Sequence, residues 1–286
     1  MSKEKKMPKE YAIIVSLTIF FTIVILVGGI RLYLVTEDKL ETVNLADIDV
    51  IEEDTNIDMS SYNIRIANSI RQTYGIDVYY GAIQGLDSVN AVAITDDTVI
   101  FDMLRQVNEA LEVYPLNLIR EIESKGYELS IYLVDHFTTN AEALANRNTI
   151  GQMKIYISNT MDFERALHHE YYHILDYYIR LESDEALAYL NWEKYNPRGF
   201  EYIGDVNNIT SKYVYKGDTG AFFVTAYAKY SEKEDRAETF AEMVTASRSE
   251  IYFNEEGPIK GKIDIIKKVL YNTFETIKQE GSLVWE

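Results

Sequence analysis

Apolar and polar positions divide the chain into three stretches. From Tyr11 to Ile30 no residue carries a charge, and at about 1.5 Å per residue a helix of that length covers about 30 Å, the thickness of a bilayer's hydrocarbon core. The run is longer than the apolar region of a cleaved signal peptide and ends without an A-x-A site, so it predicts an uncleaved signal anchor. Lys3, Lys5, Lys6 and Lys9 precede it, while Glu37, Asp38 and Glu41 follow Arg31, which predicts a single pass with the amino terminus in the cytoplasm. Between Glu37 and Asp58 stand nine acids, one lysine and no aromatic residue, the pattern of a solvated spacer. The expected organisation is a cytoplasmic tail over 1–10, a transmembrane helix over 11–30, an acidic stalk over 31–59 and one extracytoplasmic domain over 60–286.

Within that domain, helical spacing of apolar residues predicts helices over Ser60–Tyr74, Thr98–Glu112, Leu116–Lys125, Asp184–Lys194, Ser231–Ala246 and Lys262–Ile277. A longer helix runs to about Arg180, capped by Asn159 or Thr160. Strands are expected over Ile76–Tyr80, Glu128–Val134 and Met153–Ser158, where β-branched and aromatic residues gather. Helices outweigh strands and the strands come early, so the fold class is α+β, mostly helical with a small sheet.

Composition then removes whole classes of function. There are 28 Lys and Arg against 46 Asp and Glu, a formal charge of -18, so electrostatic capture of a phosphate backbone is disfavoured and no nucleic-acid partner is expected. The chain has no cysteine, which excludes disulfides, thiolate nucleophiles and iron–sulfur clusters. An exported domain without cysteine suits a cell that does not rely on extracytoplasmic disulfides, which points to a Gram-positive bacterium. Any metal must be held by His, Asp or Glu.

The long predicted helix contains His169-Glu170-Tyr171-Tyr172-His173, an HExxH sequence. Residues four apart share a helical face, so the two imidazoles can converge on one zinc ion with Glu170 beside the water it activates. Catalytic zinc needs a third protein ligand and an open fourth position. Position 179 is Ile, which excludes a third histidine six residues past the second. Glu234 and Glu238 lie four apart on a later predicted helix. One of them can bind zinc while the other accepts the free ring N–H of a ligand histidine. Ser231 and Glu234 also form an S-x-x-E capping box, which would make Glu238 the ligand. Asp176 reads as a solvated or helix-supporting carboxylate and His168 as a structural histidine. His136 is the remaining histidine that could close a purely structural zinc site.

His168-His-Glu-Tyr-Tyr-His-Ile-Leu-Asp176 followed by Tyr227-Ala-Lys-Tyr-Ser-Glu-Lys-Glu-Asp-Arg-Ala-Glu-Thr-Phe-Ala-Glu242 resembles the gluzincin metallopeptidases of the anthrax lethal factor and Pro-Pro endopeptidase kind, over roughly residues 161 to 247. The resemblance implies a zincin-like domain with His169, His173 and Glu234 as zinc ligands, Glu170 as general base and Tyr227 as donor to the developing oxyanion. It departs from the family's common HEFGH form at Tyr171-Tyr172, so no substrate preference carries over. The expected protein is a membrane-anchored zinc metalloendopeptidase acting on peptides or proteins outside the cytoplasm. The alternative is a catalytically silent tethered binding domain on the same scaffold, and retention of the base argues against it.

Overall fold

The computed structural model describes residues 59–149, 151–247, 250, 253 and 255–280. Its first helix, α1 (Met59–Tyr74), stops at Gly75, whose φ of 79° a side chain would oppose. Strand β1 (Asp77–Tyr79) follows, then a 3₁₀ turn (Leu86–Val89), β2 (Ala91–Ala93) and α2 (Asp97–Leu111). Asp96 caps α2 by accepting the backbone N–H groups of Thr98 and Val99. After α3 (Leu118–Glu123) come β3 (Glu128–Phe137), β4 (Ala143–Thr149) and β5 (Gln152–Ser158).

The sheet runs β1-β3-β5-β4, with β2 also pairing β3. β1 and β5 lie parallel to β3, whereas β4 is antiparallel to β5 and β2 to β3. Alternation along the strands sets the two faces. Leu129, Ile131 and Leu133 stand level with Met153, Ile155 and Ile157, and all six are buried. The opposite face carries Tyr79, Tyr132 and Tyr156, stacked across three strands with ring centroids 5.0 and 4.7 Å apart. Leu86, Val89, Ala91, Val134 and Phe137 complete a second apolar cluster there with Tyr156.

Helix α4 (Phe163–Glu182) packs against β4, β5 and α2, and also against α6 (Glu232–Thr245) and α7 (Pro258–Thr273). Surrounded in this way, it is buried from Leu167 to Asp176 without a solvent face. The paired tyrosines of the motif follow from that setting. Tyr171 stacks on Tyr114 at 4.2 Å, while Tyr172 stacks on Phe240 at 4.6 Å and meets the Tyr189 hydroxyl at 3.0 Å. Two short helices complete the described residues, α5 (Glu185–Ala188) and α8 (Glu275–Glu280).

The class is mixed α+β, about half helical with a small sheet. The structure corrects several boundaries. The helix expected over Asp184–Lys194 is α5 followed by a 3₁₀ turn (Trp192–Tyr195), broken where Asn191 takes φ 75°. The helix expected over Lys262–Ile277 is α7 and α8, parted at Phe274. Asp162, rather than Asn159 or Thr160, occupies the cap position of α4, with no side-chain capping bond. Strands β2 and β4 were not expected. Among the described residues no helix is long and apolar enough to cross a membrane. The span expected over 11–30 and all but the last residue of the stalk expected over 31–59 lie outside the described residues.

Candidate metal centre

About two and three turns into α4, His169 and His173 point their Nε2 atoms at the same place, 3.1 Å apart. A 3₁₀ turn (Tyr227–Lys229) and then Ser231 lead into α6, where the Ser231 hydroxyl accepts the Glu234 backbone N–H at 3.3 Å. Only that half of the capping box is made. The Glu234 carboxylate turns instead to the imidazoles, with Oε2 3.0 Å from His169 Nε2 and 3.3 Å from His173 Nε2. His169, His173 and Glu234 are the group among the described residues able to share a metal ion.

The triangle fits zinc in size. Bonds of about 2.0 to 2.1 Å in a tetrahedron place neighbouring ligand atoms about 3.3 Å apart. The donor chemistry fits as well. His169 Nδ1 lies 2.8 Å from Glu238 Oε1, an ion-pair contact with the N–H off the hydrogen-bond axis. A proton held there leaves the Nε2 lone pair aimed at the other two ligand atoms, a crowd of acceptors that a cation relieves. Burial opposes charge on His169, but its contacts with Glu234 and Glu238 override it and push the imidazole up to about 10. Burial likewise opposes charge on Glu234, yet its contacts with His169 and His173 hold it well below the usual carboxylate range.

Glu238 sits on the far side of the His169 ring and does not reach the triangle. Its Oε2 accepts from Arg165 at 2.9 Å and from the Thr225 hydroxyl at 2.7 Å. Burial raises its pKa, and His169 with Arg165 more than reverses this, to about 2. Neither Arg165 nor Thr225 was singled out in the sequence. Arg165 stands four residues before His169 on the same helical face, a spacing that was available to flag it. Thr225 had no such signal.

Glu170 is buried and lines the same cleft, a cavity of about 660 Å³. Tyr227 lines it too, its ring centroid 6.1 Å from that of His169 and stacked on Tyr230 at 5.7 Å. Burial, then the carboxylates of Glu234 and Glu170, push the Tyr227 phenol well above its ordinary pKa, so it is a protonated donor. The opposite wall is the stretch Asn140–Ala145, including the start of β4. A larger recess of about 1160 Å³ beside Tyr189 and Trp192 gathers no comparable set of ligand atoms.

Three other candidates lie elsewhere. His136 is exposed and bonded to Asp135 at 2.7 Å. His168 is buried with Nδ1 2.6 Å from the Tyr114 hydroxyl. Asp176 is not solvated, contrary to one expectation for it. It is buried and accepts from Arg236 at 3.1 Å, tying α4 to α6. The next residue along from Glu234 is also fixed. Buried Asp235 accepts from Lys262 at 2.7 Å, Tyr202 at 2.8 Å and Trp192 at 3.1 Å. Gly261, next to Lys262, lies against the Tyr195 ring, where a Cβ would collide.

No curated protein matches the sequence. Among solved structures, the crystal structure of a "putative zinc-binding metallo-peptidase" from Bacteroides caccae ATCC 43185 shares the fold. It aligns with a TM-score of 0.51 at 18% identity, over 79% of this chain and 92% of that one. The family model described as "Putative zinc-binding metallo-peptidase" matches residues 109–276, more than half of the chain and all of the cleft. On that match, the chain belongs to the "Putative zinc-binding metallo-peptidase" family.

Proposed function

We propose that the protein is a zinc metalloendopeptidase of the gluzincin type, with His169, His173 and Glu234 as ligands. The observation that carries this reading is the triangle of ligand atoms at 3.0, 3.1 and 3.3 Å, opening on a cleft that Glu170 and Tyr227 also line. Zinc held there supplies Lewis-acid polarisation and makes water acidic enough to attack at neutral pH. Glu170 takes the proton from the attacking water and passes it to the leaving amine. Tyr227 donates its phenolic hydrogen toward the carbonyl oxygen of the scissile bond as negative charge develops there. Glu238, itself anchored by Arg165 and Thr225, fixes the tautomer and tilt of His169.

The substrate enters as an extended peptide. Among the described residues β4 pairs with β5 on one side only, so its other edge faces the cleft with backbone groups placed to meet a further strand. Purified residues 36 to 286 are expected to hold about one zinc per chain and to cut members of an unbiased peptide library. Removal of the metal by a chelator is expected to abolish cutting and added zinc to restore it. Zinc-loaded protein that cuts nothing would overturn the peptidase reading.

The uncharged stretch Tyr11–Ile30 and the lysines before it support an anchored protein with its domain outside the cytoplasm. Protease added to intact cells or protoplasts is then expected to remove most of the chain. Full protection of the carboxy-terminal part would sink this orientation.

A further inference from the structure

Beyond the ligand triangle the cleft continues along the free edge of β4 into a second cavity of about 600 Å³. The two share Leu144, Ala145 and Lys233. The second cavity also takes in Asn90, Asn146, Tyr177 and Arg180, and no acidic residue lines it. In a chain of net charge -18, a recess built of amides, a phenol and two cations stands apart from the rest of the surface.

The two cations differ in their surroundings. Arg180 Nε donates to the Asp176 backbone oxygen at 3.3 Å and lies 3.5 Å from its carboxylate. That carboxylate also serves Arg236. Arg180 is therefore held in place, with its guanidinium 6.0 Å from the Tyr177 ring centroid. Lys233 is exposed and has no carboxylate within ion-pair distance among the described residues. It stands one residue before Glu234, at the junction of the two cavities.

We propose that this recess is a substrate subsite that recognises a carboxylate, with Lys233 as its specificity-determining charge. Its distance from the scissile bond follows from the helix. Tyr177 and Arg180 come four and seven residues after His173 on the cleft side of α4, about 6 and 10 Å along its axis. An extended peptide rises about 3.3 Å per residue. The recognised carboxylate therefore falls two or three residues from the bond cut. It belongs either to an Asp or Glu side chain or to a substrate's free carboxy terminus, since both present the same group to an ammonium.

The inference rests on the peptidase reading, and one experiment separates the two. The wild type, Lys233→Gln and Lys233→Glu are each given the same peptide library, once with free and once with amidated carboxy termini, and the zinc content of each is measured. The wild type is expected to favour an acid over its amide two or three positions to one side of the cut by roughly threefold to tenfold, as for an ion pair in a partly desolvated cleft. Lys233→Gln should erase that preference and Lys233→Glu should replace it with one for Lys or Arg, both with zinc retained. Because each preference is a ratio within one variant, a change in overall rate does not enter it. Persistence in the amidated library assigns the carboxylate to a side chain, and loss there assigns it to the chain terminus. Cutting without an acid preference at those positions, or the same preference in Lys233→Glu, would overturn the subsite. Absence of cutting by the zinc-loaded wild type would remove the peptidase reading and the subsite with it.

Discussion

Glu170→Gln is expected to lower peptide cleavage by roughly 100-fold to 10,000-fold, the loss that follows from removing a general base, while zinc stays near one per chain. The two halves of this expectation come from separate observations. Glu170 contributes no atom to the triangle of His169, His173 and Glu234, so its amide leaves the ligand set intact. It nonetheless lines the cleft that the triangle and the start of β4 share, where on the peptidase reading water and a peptide carbonyl would meet. Glutamine keeps the shape but replaces one acceptor oxygen with an NH2 donor and cannot take up the proton. Metal analysis beside a cleavage assay reads both halves at once. Full activity in the variant would leave the cleft without its base. Loss of zinc would mean that Glu170 shapes the metal site.

The second large effect separates two glutamates one helical turn apart. Glu234→Ala is expected to lose most of its zinc, because it removes one corner of the triangle. Glu238→Ala is expected to keep zinc with an affinity or activity lower by about 10-fold to 100-fold, the usual loss when a ligand's supporting partner is removed. Thermal unfolding gives an independent check. Zinc at a thousand times its dissociation constant stabilises a folded protein by about 4 kcal/mol, and Glu234→Ala should forfeit most of that increment. Its metal-free form keeps the Ser231 cap, because the cap accepts the backbone N–H of residue 234 and not its side chain. Glu238→Ala should behave differently. It removes a buried carboxylate partner from Arg165, Thr225 and His169 Nδ1, so it lowers stability with or without metal. Zinc retained by Glu234→Ala and lost by Glu238→Ala would reverse the two assignments, and Tyr227, placed by its spacing from Glu234, would lose its support.

The sheet shows where local sequence stops being informative. β3 and β5 were legible because Leu129, Ile131 and Leu133 alternate with Ser130 and Tyr132, and Met153, Ile155 and Ile157 with Lys154 and Tyr156. β4, which walls the cleft, reads Ala143-Leu-Ala-Asn-Arg-Asn-Thr149. It has almost no β-branched content and is a strand only because β5 offers it an edge. The break at Asn191 is local. Asparagine tolerates the left-handed φ of 75° taken there, and Tyr189 and Trp192 on either side reach the Tyr172 hydroxyl and Asp235 in the folded protein.

At the site the division is sharper. Helical periodicity alone places His169, Glu170 and His173 within one turn and a third, because residues four apart on an α-helix share a face whatever surrounds it. The same periodicity leaves Glu234 and Glu238 equivalent, both on one face of α6. Only the packing of α6 on α4 breaks that equivalence. It sets Glu234 level with the two Nε2 atoms and carries Glu238, one turn on, past the ring to Nδ1 and Arg165. Local spacing is fixed by backbone geometry within one helix and so can be read from sequence. The depth at which two helices dock depends on side chains distant in the chain, among them Asp176 against Arg236 and Asp235 against Lys262, and is decided only in the folded protein.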